Sequence, residues 1–296
     1  MTLKERFSLF HVVNYTFFTL FTLICVFPFY YLFINTISNN DLSSRGLVLF
    51  YPIGIHFTNY MDVFKLPGLG TAALVSLGRT VIGTALTVLA SAFLGFLFTK
   101  NEMWGRKFWY RFLIVTMYFN AGLIPWYLTM LNLGLVNNFL AYILPGIVSP
   151  FFIILVKTFV ESTPAALQES AQIDGAGHLV IFAKIIFPLI TPILATITIF
   201  SAVWQWNEFR DTLFLVTEQR LFSLQFILYR YMNEATSLAQ LMQQTAGSAN
   251  MDLANKATPT SIRTTVSMIV VAPILLVYPF FQRYFVRGIM IGAVKG

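Results

Sequence analysis

Glu169, Ser170, Ala171, Asp174, Gly175 and Gly177 stand together in the stretch ESAQIDGAGHLVIFAKIIFPLITP, residues 169–192. Two carboxylates and two glycines here open a segment that closes in an apolar run. The chemistry on offer is recognition. Small side chains let another surface approach the backbone, and carboxylates give that approach a direction. Thr163 is a candidate N-cap with Pro164 at the first helical position, so a short helix is expected over 165–173. Asp174–Gly175 is a stop or turn signal, and a second helix should run from about Ala176 into the membrane-like run at Ile185. The segment suits docking into a partner's groove. An ordinary interfacial loop would also have this composition, and the residues alone leave both open.

Catalytic constellations are missing from the chain. It has no G-x-x-x-x-G-K-[ST], so it cannot cradle ATP phosphates in a P-loop. It has no H-E-x-x-H and no Ser–His–Asp or paired-carboxylate pattern. His11, His56 and His178 are read as structural or interfacial residues. The single cysteine, Cys25, sits in an apolar run and is read as a small packing residue. Neither a metal site nor a disulfide framework is expected.

The elements that must position this segment are membrane helices. Of 296 residues, 57% are hydrophobic and 10% charged, against about a quarter charged in soluble domains. Mean hydropathy is +0.73. Six spans can be drawn, at about 12–36, 71–98, 108–131, 138–160, 184–205 and 262–286. Residues 161–183 form a loop between two of them, and 206–261 a long loop on the other side. The second span is rich in Gly, Ala, Ser and Thr, which permit close helix packing in lipid. Pro125, Pro145, Pro150, Pro188, Pro192 and Pro273 lie within or at the ends of spans. A bundle can satisfy the carbonyls that proline frees. The basic residues Lys4, Arg6, Lys100, Arg106 and Lys107 mark the cytoplasmic side, whereas the short loop NLGLVNN has none. Both termini and the 161–183 loop are therefore expected in the cytoplasm. The net charge of +7 is read as basic membrane flanks, with no nucleic-acid partner.

The 169–192 stretch resembles the cytoplasmic EAA motif of bacterial ABC-importer permeases: E-A-A, three residues, G, nine residues, then I-x-L-P. Glu169, Ser170 and Ala171 fill the triad, Gly175 follows, and Ile185 and Pro188 fall at the matching distance. Ser170 stands for an alanine and Phe187 for a leucine, both mild departures. DGAG, FAKIIFPLITP, WNEF (206–209) and the closing GAVKG resemble the maltose-permease-like second subunits of the carbohydrate branch. FNAGLIPWYLTMLNLGLVNN, residues 119–138, is similar to the subgroup handling oligosaccharides or polysaccharide fragments. The resemblance covers nearly the whole chain.

This resemblance implies an all-α permease subunit with the type I ABC importer transmembrane fold, in the bacterial cytoplasmic membrane. The helix around Glu169–Gly175 would be a coupling helix seated in a dimer of separate ATPase subunits. ATP and Mg would bind there, with no cofactor on this chain. The other implied partners are a second permease subunit, usually in a heterodimer, an extracellular solute-binding protein and an oligosaccharide. Lys295–Gly296 would also approach the ATPases. A saccharide pathway needs aromatic faces and a few amides or hydroxyls. The candidates are Tyr118, Asn120 and Trp126, with Trp204, Gln205, Trp206 and Asn207; Tyr30 and Tyr31 are weaker ones. Trp and Tyr also serve as interface anchors. Arg79, Arg111 and Lys157 fall near span ends and are expected to snorkel. Arg45, Lys65, Arg210 and Arg230 could attract an acidic sugar, but Glu208, Asp211 and Glu234 lie close by, and the sequence balance decides nothing. The alternative is a secondary transporter driven by an ion gradient, which would need midplane ionisable groups or broken-helix repeats.

Overall fold

The computed structural model describes residues 9–233 and 258–293, with side chains in the last helix described from Thr260 to Val277. The basic N-terminal residues Lys4 and Arg6, most of the 206–261 loop beyond Asn233, and Lys295–Gly296 lie outside the described residues. Among the described residues, regular structure is helical throughout, with no strand. The chain divides into two compact units.

The first unit comprises Met1–Leu66 and Arg230–Val271. Its long helix α1, Leu9–Thr36, is apolar on every side and exposed along most of its length. A helix of this kind belongs in hydrocarbon. It ends in a compact polar knot. Asn35 donates to the Tyr31 carbonyl (2.8 Å) and accepts from Ser43 Oγ (2.7 Å). Asn39 caps the short helix α2, Asn40–Ser44, accepting from the backbone of Asp41 and Leu42. Asn59, on α3, Thr58–Phe64, donates to the Thr36 carbonyl and to Asn40 Oδ1, both at 2.9 Å. Residues 37–66, which lie between the first two spans drawn from sequence, are therefore tied down by buried amides.

The second unit comprises Pro67–Tyr229 and Ala272–Gly296. Its axis is α4, Leu69–Leu97, an uninterrupted helix of 29 residues. At 1.5 Å per residue it is about 43 Å long, more than the hydrocarbon thickness. Its small residues work as the sequence suggests. A Cβ added at Gly95 would lie 2.7 Å from Val156 Cβ, and one at Gly83 would lie 2.5 Å from Gln205 Nε2. These close approaches seat α4 against α7, Pro150–Glu161, and α11, Thr191–Asn207.

The regions drawn from sequence as the third, fourth and fifth spans, each with prolines within or at its ends, are bent helix pairs. The third consists of α5, Arg106–Tyr118, and α6, Leu123–Asn132, bent by 120°. Gly122 adopts φ +86 at that break. The fourth joins 3-10 turns over Phe139–Gly146 to α7 with a 45° bend at Ser149–Pro150. The fifth enters through α9, His178–Ile181, passes a π-turn at Phe182–Ile186 and α10, Phe187–Leu189, and bends by 78° into α11. Pro188 and Pro192 flank that last bend, and each lacks the N–H that would continue a regular ladder. Among the described residues, three helices are long and apolar enough to cross a membrane, or up to six if each bent pair is one span. The last helix, Pro259–Ala293, is longer than the 262–286 expected.

Candidate functional site

The 161–183 segment folds as helix, turn, helix. Helix α8, Ala166–Ile173, begins one residue later than expected, and Thr163 does not cap it: its hydroxyl donates back to the Val160 carbonyl at 2.6 Å. The helix stops where the sequence indicated. Gly175 takes φ +81, a left-handed conformation natural to glycine. The Ala176 N–H then returns to the Ala171 carbonyl at 2.9 Å, a hydrogen bond of Schellman type. Gly177 is extended (φ −71) and begins α9.

Ala171 is the inward anchor of α8. It is buried with Phe96, Val156, Val160, Ile181 and Ile186, so it does not offer the approachable surface the sequence reading gave it. Glu169, Ser170, Asp174, Gly175 and Gly177 are exposed, as is Ile173 at 86%. Lys100 ties the helix to the end of α4. Its ammonium lies 4.6 Å from the centre of the Phe96 ring and donates to Gln168 Oε1 at 2.5 Å. Burial lowers the Lys100 pKa, partly opposed by Glu102. The resulting element presents carboxylates and the apolar side chains of Leu167, Ile173 and Leu179 to solvent, and its other face is fixed in the core.

A second site lies at the opposite end of α11. Arg79, expected to snorkel, is instead wholly buried. A guanidinium sealed from water needs its donors satisfied. Nη1 donates to the Glu208 carbonyl at 2.8 Å, Nη2 to Asp211 Oδ2 at 2.8 Å, and Nε and Nη2 to Gln205 Oε1 at 3.3 and 3.2 Å. Its Cζ is 4.6 Å from the Tyr142 ring centre. Tyr142 in turn donates to the Leu221 carbonyl at 2.6 Å. This cluster fixes the end of α11 and the start of α12, Arg210–Leu215. Glu208 is clasped by Arg210, accepting from its backbone N–H (2.8 Å), Nε (3.1 Å) and Nη2 (3.0 Å).

Beside this cluster is a cleft of about 590 Å³, lined among others by Asn120, Trp126, Tyr142, Trp204, Glu208, Arg210 and Asp211. Burial pushes the Glu208 carboxyl up, but the Arg210 hydrogen bonds and the charges of Arg210 and Arg79 outweigh it, leaving a pKa below the usual value. Asp211 goes the other way: burial raises its pKa and the charge of Arg79 only partly offsets this.

The structure gathers Asn120, Trp126 and Trp204 on this cleft and places the other pathway candidates elsewhere. Tyr118, at the end of α5, is 81% exposed and is not among the cleft residues. Gln205 is buried against Gly83 and occupied by Arg79. Trp206 lines a different, apolar pocket with Leu77, Val203 and Pro273. Asn207 is exposed and donates to the Val203 carbonyl at 2.9 Å. Of the cleft's charged residues, Arg210 was read from sequence as a group that could attract an acidic sugar, and Glu208 and Asp211 only as charges that offset it. Their signal was the cluster Glu208, Arg210, Asp211 in a chain with only 10% charged residues.

Comparison with known proteins places the chain among importers. Residues 87–291 match the family described as binding-protein-dependent transport system inner membrane component. The chain is 31% identical to a polygalacturonan/rhamnogalacturonan transport system permease protein of Bacillus subtilis (strain 168), over 99% of this chain and 100% of that one. It is 33% identical to Protein LplC of the same organism, covering 92% and 90%. Its fold matches that of a bacterial ABC transporter involved in the import of the acidic polysaccharide alginate, with a TM-score of 0.78 and 27% identity over 96% of this chain and 99% of that one.

Proposed function

This chain belongs to the family of binding-protein-dependent transport system inner membrane components, and on that footing we propose that it forms one half of an ATP-driven pathway for oligosaccharides. It is a transport subunit embedded in a membrane, not an enzyme. Hydrolysis occurs on a separate ATPase, where ATP and Mg bind. A second permease completes the pathway, and an extracellular binding protein delivers the saccharide to the face that carries the Arg79 cluster. Both termini and α8 face the cytoplasm.

The exposed helix–turn–helix carries this reading. Its core-facing side is fixed by Ala171 and Lys100, so a force applied to its solvent side is transmitted to α4, α7 and α9. Closure of the ATPases against Glu169, Ile173 and Asp174 would move the helix as a rigid piece and switch the pathway between inward and outward access. The saccharide pathway is assigned to Asn120, Trp126 and Trp204, supported by their meeting on one cleft. Family membership favours this reading over an ion-gradient transporter.

Affinity purification in mild detergent tests the assembly. Co-elution of a second permease and a P-loop ATPase is expected. A chain that elutes alone, under conditions that keep other membrane complexes together, would overturn the reading.

A further inference from the structure

The outer cleft also bears on the class of saccharide, an inference that rests on the pathway reading above. Two guanidinium groups adjoin the cleft, and both are spent. Arg79 is sealed behind it and divided among Asp211, Gln205 and the Glu208 carbonyl. Arg210 is 67% exposed, but two of its nitrogens grip both oxygens of Glu208. A bidentate pair of this kind has little net charge to offer a third group. The charged residues lining the cleft are two carboxylates and one guanidinium. A negative ligand therefore meets no uncompensated cation among the described residues there.

The groups left available suit hydroxyls. Asp211 uses Oδ2 for Arg79, and its side chain is 17% exposed, which leaves Oδ1 as an acceptor at the cleft. Asn120 uses Oδ1 to accept from the Gly122 N–H at 2.8 Å, which leaves its amide N–H groups as donors. Trp126 and Trp204 supply aromatic faces. We propose that this cleft binds a neutral saccharide unit, stacked on tryptophan, with hydroxyls donating to Asp211 and accepting from Asn120, and that it disfavours a uronate. A uronate carboxylate would stand against Asp211 in a half-enclosed, low-dielectric site. On this proposal the acidic polysaccharide named for the structural neighbour is not the ligand of this cleft.

The test uses the complete assembly, with its second permease and ATPases, trapped facing outward in nanodiscs. Tryptophan fluorescence is titrated with arabinotriose, raffinose and trigalacturonate. At least one neutral trisaccharide should bind roughly tenfold or more tightly than trigalacturonate at low salt, the scale of one unscreened like-charge contact. Trp126→Phe should diminish the signal. Asp211→Asn should narrow the ratio. Because that change also leaves a buried arginine unpaired, Arg210→Gln is the companion: its side chain is exposed, and it uncovers the charge of Glu208, so the preference for the neutral probe should widen. Trigalacturonate binding as tightly as the neutral probes, or binding that Arg210→Gln abolishes, would overturn the proposal. So would failure of all three probes to bind an assembly that still hydrolyses ATP, although the importer reading would then stand. Failure of the chain to assemble at all would remove that reading itself.

Discussion

Arg79 and Asp211 are 132 positions apart in the chain, yet Nη2 of one lies 2.8 Å from Oδ2 of the other, with the arginine fully enclosed. The pair joins the N-terminal half of α4 to the start of α12. Arg79 also serves Gln205 and the Glu208 carbonyl and lies over Tyr142. Removing one member of a buried pair strands the other, at a cost of about 3–5 kcal/mol. Arg79→Met should therefore lower the melting temperature of the detergent-purified chain sharply. Arg79→Lys should recover little of it, because an ammonium cannot reproduce the planar fork. Arg79→Met with Asp211→Leu should melt above Arg79→Met alone. Equal melting of the wild-type and Arg79→Met proteins, followed by tryptophan fluorescence, would show the pair to be inert.

Close helix contact gives a second expectation. A methyl at Gly95 would meet Val156 at 2.7 Å and the Ile153 carbonyl at 3.1 Å. Neither a β-branched side chain nor a helix backbone yields easily. Gly95→Ala should destabilise the fold by about 1–3 kcal/mol, the usual range for overpacking. Gly70→Ala, on the same helix with nothing within 4 Å, should be neutral or slightly stabilising. Chemical denaturation of the two variants side by side distinguishes them, and matching midpoints would mean that α4 and α7 pack more loosely than described.

The long helices α1 and α4 were legible from sequence because crossing hydrocarbon needs long apolar runs, which both display. The breaks were less so. A proline marks where a ladder can fail, but not whether neighbours repair it. Pro28 lies inside α1 without a break, whereas Pro188 and Pro192 flank a 78° bend. The turn at Asp174–Gly175 was readable because left-handed backbone selects glycine locally. The inward face of Ala171 was not, since which side of an eight-residue helix meets the core depends on Phe96, Val156 and Ile181, distant in sequence. Arg79 misled for a similar reason: snorkelling is the default for an arginine near a span end, and the return of Gln205, Glu208 and Asp211 overrides it.

Acid should loosen the Arg210 clasp. The folded-state pKa of Glu208 is held below its ordinary value of 4.5. Its stabilising contribution is therefore full above that ordinary value and is lost as pH falls through the lower, folded one. Asp211 is shifted upward, so its contribution has the opposite sign. Comparing wild type with Arg210→Gln isolates the clasp, because Arg210 is the smallest influence on Asp211. The melting-temperature advantage of the wild type should be largest near neutrality and shrink as pH falls below 4.5. An advantage independent of pH would mean that Glu208 is not held by charge.

Gly175 separates the docking role of α8 from its folding. The residue sits at φ +81 with nothing within 4 Å of an added Cβ, so Gly175→Ala meets backbone strain and no clash. A strained residue of this kind costs about 1–3 kcal/mol, and proline, locked near φ −65, cannot adopt the turn at all. Gly177, at φ −71 with open space around it, should accept alanine without strain. The expected order of ATPase retained on co-purification is wild type and Gly177→Ala, then Gly175→Ala, then Gly175→Pro. Ile173→Glu should weaken ATPase binding while leaving the melting temperature unchanged, because the side chain is 86% exposed and contributes little to the fold. If Gly175→Pro and Ile173→Glu both kept their ATPase and full ATP-driven uptake, the turn would be an ordinary loop and the force from the ATPase would have to enter the membrane helices elsewhere.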